Sequence, residues 1–150
     1  MAKALRGAAP AVWVQIPGEP VAQQRPRWGR THVYEPRKSR EWKEYARVVM
    51  AEAVNRGGVR SVPQGPVQVT IRACHELRKS YHRERFPVGE KWRDKKPDID
   101  NVAKIVLDAA SEILFGDDKQ VCRLVVEQLT GAQGTEPFVT IEVMELTDAV

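Results

Sequence analysis

The chain has few cysteines and no long apolar segment. Two cysteines in 150 residues, Cys74 and Cys122, are too few for a disulfide framework. Both lie in strand-like segments that suit a small buried thiol, so we expect two reduced core residues. No apolar segment approaches the roughly 18 residues that span a bilayer, and residues 1–11 lack the apolar centre of a signal peptide. We expect a soluble, intracellular protein of one domain, with residues 1–11 as a flexible tail.

Negatively charged residues are scarce in residues 1–96, and positively charged residues are scarce in residues 97–150. Residues 1–96 contain 9 Asp and Glu against 21 Lys and Arg, whereas residues 97–150 contain 3 Lys and Arg against 11 Asp and Glu. The formal net charge of +4 is therefore the sum of +12 (21 − 9) and −8 (3 − 11). A basic surface is typical of polyanion binding, because Lys and Arg displace counterions from phosphates. The acidic segment would repel DNA unless a cation lay between them; the alternative is ordinary solvated charge.

Hydrophobic periodicity predicts an α+β fold. We expect a mixed sheet of about four strands with two main helices packed on it, in the order β-α-β-α-β-β. Ser39 is a plausible N-cap of the first helix. The turn at residues 131–134 should join the last two strands as an antiparallel hairpin. Strands are predicted at residues 12–16, 66–77, 119–129 and 137–146, and helices after Pro36 as far as Gly57 and at 101–112.

Three segments rich in Lys and Arg predict a DNA-binding surface. Residues 23–34, QQRPRWGRTHVY, interleave arginines with aromatic rings that can stack on exposed bases. The first half of the helix after Pro36 is also basic, and its positive dipole end attracts phosphate. Residues 78–96 contain eight Lys and Arg without a clear period, for which we expect a mobile basic loop. The DNA-binding candidates are Arg25, Arg27, Arg30, Lys38, Arg40, Lys95 and Lys96.

Five aspartates and a lysine are concentrated between residues 98 and 118. Carboxylates bind hard divalent cations, and Mg²⁺ is usually held by one or two of them with waters and substrate phosphate. If the second helix ends before Ile113, the chain can return extended and bring Asp118 back to Asp98 and Asp100. The structural alternative makes Asp100 an N-cap and Asp117 part of a polar turn. The set comprises Asp98, Asp100, Lys104, Asp108, Asp117 and Asp118.

Other chemistries lack their sequence motifs. An EF-hand loop counted from Asp98 has Ala103 where glycine is needed and Ala109 where glutamate is needed. The chain has no P-loop, no zinc-binding spacing and no Gly-x-Ser-x-Gly elbow. His32, His75 and His82 are scattered along the chain, and His75 has the best position for a role because it ends the predicted central strand.

The acidic motif resembles that of the RusA family of Holliday junction resolvases, small endonucleases common in phages and prophages. The resemblance covers roughly residues 13–146 and departs most in the basic segment 78–96, which is longer than in the best-known member. Junction selectivity or sequence preference could therefore differ. The matching motifs are Pro97-Asp98-x-Asp100-Asn101-x-x-Lys104-x-x-x-Asp108-Ala109, Asp117-Asp118-x-Gln120-Val121, Gly18-x-Pro20, Gln24-Arg25-Pro26-Arg27 and Tyr34-Glu35-Pro36.

The resemblance implies a homodimeric, metal-dependent endodeoxyribonuclease that resolves four-way DNA junctions by paired symmetric nicks. It implies Mg²⁺ as cofactor, with Mn²⁺ as a possible substitute, bound by the catalytic residues Asp98, Asp100 and Asp118. Lys104 matches the catalytic lysine. Whether Asp118 acts in its own subunit or in the partner's stays open, and so does the dimer interface, for which Trp13, Trp42, Phe115 and Phe138 are candidates.

Two alternatives to junction resolution remain. One is a non-catalytic DNA-binding or recombination-mediator protein, which would have no divalent cation at the aspartates. The other is a nuclease that acts on flaps, forks or other branched DNA. Salt dependence does not separate these possibilities, because all of them place Lys and Arg on phosphates.

Overall fold

The computed structural model describes residues 12–57 and 62–147, so the predicted tail at residues 1–11 lies outside the described residues. None of the helices in these two ranges is both long and apolar enough to cross a bilayer. The helices are α1 (Arg37–Arg56) and α2 (Ile99–Ala110). The strands are β1 (Val12–Pro17), β2 (Arg27–Trp28), β3 (Val33–Tyr34), β4 (Val67–His75), β5 (Lys91–Trp92), β6 (Val121–Thr130) and β7 (Phe138–Glu145).

The sheet is mixed and has five strands in the order β1-β7-β4-β6-β5, while β2 and β3 form a separate hairpin. The predicted α+β class, with two helices packed on a mixed sheet, is confirmed. β5 and the small hairpin were not predicted, because strands of two residues are too short to show a period.

The last two strands of the chain do not pair with each other. β4 lies between them, parallel to β6 and antiparallel to β7. The prediction of a hairpin across residues 131–134 is therefore wrong. Every second residue of β4 from Val67 to Ala73 is fully buried. A strand with such an apolar face is most stable at the centre of a sheet, where both of its edges are hydrogen-bonded and this face is covered.

The core lies between the helices and one face of the sheet. The register aligns Val14, Ile141, Ile71 and Val126 across four strands, so their side chains share this face. α1 packs against β1 and α2, and α2 packs against β4 and β6. Among the four aromatic residues considered for a dimer interface, Trp42 and Phe115 are buried in this core, Phe138 is half-buried and Trp13 is exposed.

Several local predictions need correction. α1 begins at Arg37 after Pro36, whose φ of −55° suits a helix start. Ser39 is therefore not the N-cap but a buried first-turn residue whose hydroxyl accepts a hydrogen bond from the Gln24 N–H at 3.0 Å. Of the two cysteines expected in the core, Cys74 is buried and Cys122 is exposed, because β6 begins at an uncovered edge of the sheet.

Residues 78–96, for which the sequence predicts a mobile basic loop, include two short elements and contacts with the sheet. They contain a short 3-10 turn at Lys79–Tyr81 and the strand β5, which pairs with Leu129 and Thr130 of β6. The Gln133 side-chain oxygen accepts hydrogen bonds from the Arg83 N–H at 2.9 Å and the Val88 N–H at 3.3 Å. The segment is thus attached to the last residues of β6 and to Gln133, which follows β6.

Candidate active site

Asp98 and Asp100 lie at the start of α2 and are exposed. Asp98 is the N-cap residue, but its side chain makes no capping hydrogen bond, and only its backbone oxygen accepts from the Asn101 N–H at 3.1 Å and the Val102 N–H at 3.2 Å. Asp100 is therefore not the N-cap; its Oδ1 accepts from the Asn101 N–H at 3.0 Å. The Asp98 carboxylate is not used by the helix and remains available to a cation.

Two side chains hold the backbone that precedes Asp98. Arg93 donates from Nε and Nη2 to the Lys96 oxygen at 2.9 and 2.8 Å. Gln128 donates from Nε2 to the Pro97 oxygen at 2.8 Å. The position of Asp98 is thus determined by β6 and by the residue that follows β5. Sequence reasoning missed Arg93 and Gln128 because both act on backbone atoms, which leave no motif.

Gln128 is itself oriented by the buried His75. His75 Nε2 lies 2.8 Å from Gln128 Oε1, and Nδ1 lies 3.0 Å from Glu19 Oε1. Because Gln128 Nε2 donates to a carbonyl, its Oε1 must accept, so His75 carries a proton on Nε2. Burial acts to raise the pKa of Glu19, but the hydrogen bonds from His75 and the Glu76 N–H outweigh it and hold this pKa below its usual value.

Asp118 lies at the opposite end of α2. The helix ends at Ala110, before Ile113 as predicted, but the buried residues Leu114 and Phe115 then turn into the core instead of extending back. β6 starts just after Asp118 and ends near Pro97, so it runs antiparallel to α2. The 12 residues of α2 span about 18 Å. The prediction that Asp118 returns to Asp98 and Asp100 within one chain is therefore wrong.

The turn that carries Asp117 and Asp118 is built around Gln120. Its Oε1 accepts from the Gly116 N–H at 2.8 Å and the Asp117 N–H at 2.9 Å, and its Nε2 donates to the Pro63 and Gly65 oxygens, both at 2.9 Å. A Cβ at residue 116 would lie 2.9 Å from Gln120 Oε1, so glycine permits this contact. Asp117 caps the turn by accepting from the Lys119 N–H at 2.9 Å, as the structural alternative proposed.

The carboxylates at this turn influence one another. The hydrogen bond from the Lys119 backbone, followed by that with Asp118, lowers the pKa of Asp117. The pKa of Asp118 is raised, first by its hydrogen bond with Asp117, then by burial and by the negative charges of Asp117 and Asp108. Asp108 and Asp118 are therefore close enough to repel each other, a situation that a bound cation or a cationic side chain would relieve.

The two acidic clusters line separate grooves. The Asp98 groove, about 550 Å³, extends from Trp92 to Ile99 and along Val126–Gln128. The Asp118 groove, about 500 Å³, places Asp108, Asp117 and Asp118 opposite Arg40, Lys43 and Arg47 of α1. Within residues 12–57 and 62–147, no three His, Cys, Asp or Glu side chains are grouped closely enough to hold a metal ion. One copy of the chain presents only part of the predicted ligand set at either groove.

Lys104 lies on the exposed face of α2, one turn beyond Asp100. The ion pairs found in the described ranges do not include Lys104, Asp98 or Asp100. The described residues therefore provide no ion-pair partner for Lys104, and its charge is available to a bound anion.

The basic segment at residues 23–34, the basic arm, is attached directly beside the α2 carboxylates. The Gln23 N–H donates to the Asn101 oxygen at 2.9 Å, and the next residue is bound to Ser39 of α1. The exposed arm residues Arg25, Arg27 and Arg30 follow this anchor. Of the other DNA-binding candidates, Lys38 and Arg40 lie in the first turn of α1, Arg40 lines the Asp118 groove, and Lys95 and Lys96 line the Asp98 groove.

Comparison with known proteins identifies the family. A family model described as endodeoxyribonuclease RusA matches residues 17–144, which include both acidic clusters and the basic arm. The uncharacterized protein YqaN of Bacillus subtilis (strain 168) is 31% identical over 139 residues, which are 87% of this chain and 93% of YqaN. The class is thus that of endodeoxyribonucleases, which are hydrolases. Within that class, the chain belongs to the RusA family.

Proposed function

We propose that the protein is a Mg²⁺-dependent endodeoxyribonuclease that resolves four-way DNA junctions by paired symmetric nicks. The observation that carries this proposal is the 2.9 Å hydrogen bond from Gln23 to Asn101. It attaches Gln23 to the residue after Asp100, and the exposed Arg25, Arg27 and Arg30 follow Gln23 in the chain. Phosphates bound by the arm would therefore be presented to the carboxylates that bind the cation.

We place the third ligand of the metal site on a second subunit. Asp98 and Asp100 together make a pair of carboxylates of the kind that holds Mg²⁺ with waters and substrate phosphate. The third proposed ligand, Asp118, is separated from them by the length of α2, about 18 Å. A partner subunit whose Asp118 approaches the Asp98 groove would complete the set without any change of fold.

The free edge of β6 is suited to such a partner. Among the described residues, β5 pairs with Leu129 and Thr130, and residues 121–127 of β6 have no strand partner on that side. Most unpaired edges are protected by charged residues or proline, but residues 121–127 contain no proline and carry two charges, those of Arg123 and Glu127. Leu124 and Val125 are 43% and 37% exposed on this edge. A second copy of the chain, paired along β6, would cover them.

A two-fold axis near Leu124 accounts for the geometry. Antiparallel pairing of residues 121–127 with their symmetry mates would bring the partner's Asp118, three residues before its β6, to the Arg93 end of β5, at the level of Gln128. At this level Gln128 holds Pro97, so the partner's Asp118 would lie beside Asp98. The interface is isologous, and the same contacts therefore build two equivalent sites. Two equivalent sites related by a two-fold axis suit symmetric nicks in opposed strands.

Each residue has a distinct part in the proposed reaction. When bound, the cation polarises the scissile phosphate and lowers the pKa of a bound water toward neutrality. Asp98 and Asp100, with the partner's Asp118, would hold the cation. Lys104 stabilises the negative charge that develops on the phosphate in the transition state. Arg25, Arg27 and Arg30 bind the phosphate backbone and carry much of the affinity.

Mixing two inactive variants tests both the chemistry and the shared site. Asp98→Asn and Asp118→Asn homodimers should bind a synthetic four-way junction but not cut it in Mg²⁺. A mixed dimer of the two has one site with both substitutions and one with neither, so nicking should return at one of the two strands. Ligands from a single chain would leave no intact site in the mixture.

The control for this experiment is Glu136→Gln, an exposed carboxylate outside both grooves, which should cut like the wild type. A wild-type protein that leaves the junction uncut in Mg²⁺ and Mn²⁺ would contradict the proposed activity. Flaps and forks, assayed under the same condition, show whether the four-way junction is the preferred branched substrate.

A further inference from the structure

A second cavity opens beside the Asp98 groove on the side of the basic segment 78–96. Its volume is about 370 Å³. The floor contains the buried Leu77 and Thr130, and the walls contain the aromatic rings of Tyr81 and Trp92. The rim is basic, with two carboxylate residues, Glu76 and Asp94, against five cationic ones. These five are Arg78, Lys91, Arg93, Lys95 and Lys96.

This cavity adjoins the proposed catalytic groove. Residues 92–96 line both the cavity and the groove, and Asp98 lines the groove. The wall between the two is held by Arg93, which donates to the Lys96 oxygen and, at 3.3 Å, to Thr130 Oγ1. A group bound in the cavity would therefore be a direct neighbour of a phosphate bound at Asp98.

Trp92 presents a large aromatic surface on a fixed backbone. Its side chain is 70% exposed, although it belongs to β5 and is paired with Leu129 of β6. The following residue also donates its backbone N–H to the Gln128 oxygen at 3.0 Å. In the described part of the chain, the Tyr81 ring has Lys95 Nζ at 5.1 Å, whereas the Trp92 ring has no such cationic or aromatic partner. An exposed ring held rigidly beside a basic cavity is typical of a stacking site.

We propose that this cavity binds one unstacked nucleobase of the DNA substrate, next to the cleaved phosphate, with its face against Trp92. The inference rests on the proposed function and extends it to substrate selection. The indole supplies the stacking surface, Leu77 supplies an apolar floor, and the basic rim binds the phosphates on either side of the base. Extracting a base costs least where the duplex is already perturbed, and the crossover of a branched substrate interrupts the continuous duplex.

The competing occupant is the second subunit. β5 continues the sheet edge on which we place the dimer, so Trp92 could instead pack against the partner. The charge of the rim favours DNA, because five cationic residues around one tryptophan attract a polyanion. The experiment below separates the two occupants.

The test combines one protein substitution with one substrate change, in Ca²⁺ so that binding is measured without cleavage. A series of junctions is used. Each carries one abasic site, at a different one of the nucleotides that flank the cut. At one position the wild type should lose affinity roughly tenfold to a hundredfold, the range expected for one base–aromatic stack. Trp92→Ala should lose a similar factor on the intact junction and almost nothing more at that abasic position. Trp92→Phe should recover most of the affinity.

Phe86→Ala is the matched control. Phe86 is 80% exposed and lies in the same basic segment, but it does not line the cavity. This variant should keep wild-type affinity and wild-type sensitivity to the abasic site. Circular dichroism and urea unfolding verify that each variant is folded.

Three results would overturn the proposal. One is independent, additive losses from Trp92→Ala and the abasic site; another is wild-type affinity in Trp92→Ala. The third is a Trp92→Ala protein that sediments as a monomer where the wild type is a dimer, which would assign Trp92 to the subunit interface. Junction binding without cleavage in Mg²⁺ would contradict the proposed catalytic function alone, whereas a wild type that binds no branched DNA would contradict both.

Discussion

His75 Nε2 and Gln128 Oε1 lie 2.8 Å apart in the interior of the sheet. Gln128 Nε2 lies the same distance from the Pro97 oxygen, so the end of β4 is connected through β6 to the residue before Asp98. Glu19 holds the other side of the His75 ring at 3.0 Å. The carboxylate that we place at the centre of catalysis is thus positioned by the core of the sheet, which suits a site that must hold a cation in one geometry.

The connection between Gln128 and Pro97 can be tested with two substitutions. Gln128→Ala leaves His75 Nε2 buried without an acceptor and should lower the free energy of unfolding by about 1–3 kcal/mol. Gln128→Glu keeps the acceptor for His75 but loses the donor to Pro97. It should unfold closer to the wild type while cutting junctions roughly ten times more slowly or worse. Urea unfolding and single-turnover cleavage measure the two effects.

Gln68→Ala is the control for the Gln128 variants, because the side-chain hydrogen bond of Gln68 found in the described ranges goes to the nearby Thr70 hydroxyl, at 3.3 Å. It should change neither quantity appreciably. Wild-type cleavage by Gln128→Glu would show that the hydrogen bond to Pro97 does not position Asp98.

The interaction of Glu19 with His75 predicts a pH dependence of stability. Folding lowers the pKa of Glu19 from its ordinary value of 4.5, so the folded state binds the Glu19 proton less tightly than the unfolded state does. The stabilisation is therefore fully present above pH 4.5 and is lost as the pH falls through the lower folded value. The difference in unfolding free energy between the wild type and Glu19→Gln should shrink over this range. A difference that stays constant between pH 6 and pH 3, both on the order of a unit and a half from the ordinary Glu pKa, would contradict it.

The proposed dimer predicts a strong effect of a charge at Leu124. Leu124→Asp should leave the monomer folded, because this side chain is 43% exposed in one copy. It should also prevent pairing along β6, since two aspartates would face each other near the two-fold axis. Sedimentation velocity should then show monomers, and junction cleavage in Mg²⁺ should fall at least about a hundredfold because neither site receives its partner carboxylate.

Val48→Asp provides the comparison for Leu124→Asp. Val48 is 58% exposed on α1, away from the β6 edge. This variant should remain dimeric and active. A Leu124→Asp protein that is still dimeric and active would move the interface elsewhere.

The basic arm predicts a change in salt dependence. Replacement of Arg25, Arg27 and Arg30 by alanine should weaken junction binding and reduce the slope of log K against log salt by about 0.9 for each lost phosphate contact. Titrations by fluorescence anisotropy between 50 and 200 mM salt, roughly the range in which such slopes are measured, give this slope. Arg56→Ala, at the last residue of α1, should leave it unchanged. An unchanged slope in the triple variant would remove the arm from the DNA interface.

Local patterns predicted the elements near the site well. β1, β4 and α2 were found within about two residues of their expected ends, because alternation and helical spacing are read from neighbours in the chain. The end of α2 before Ile113 was also correct. The hairpin between β6 and β7 was wrong, since turn residues at 131–134 show that the chain reverses but not which strand it meets.

The sequence by itself determined the opposed charges of the two segments, the acidic motif and the α+β class, since composition and local periodicity carry them. Only the tertiary structure decided that Asp118 lies at the far end of α2 from Asp98, that β4 separates β6 from β7, and that Arg93 and Gln128 hold the backbone before Asp98. These relations depend on contacts between residues far apart in the chain. Burial of Leu114 and Phe115, more than the chemistry of the aspartates, sets the path that separates the two acidic clusters.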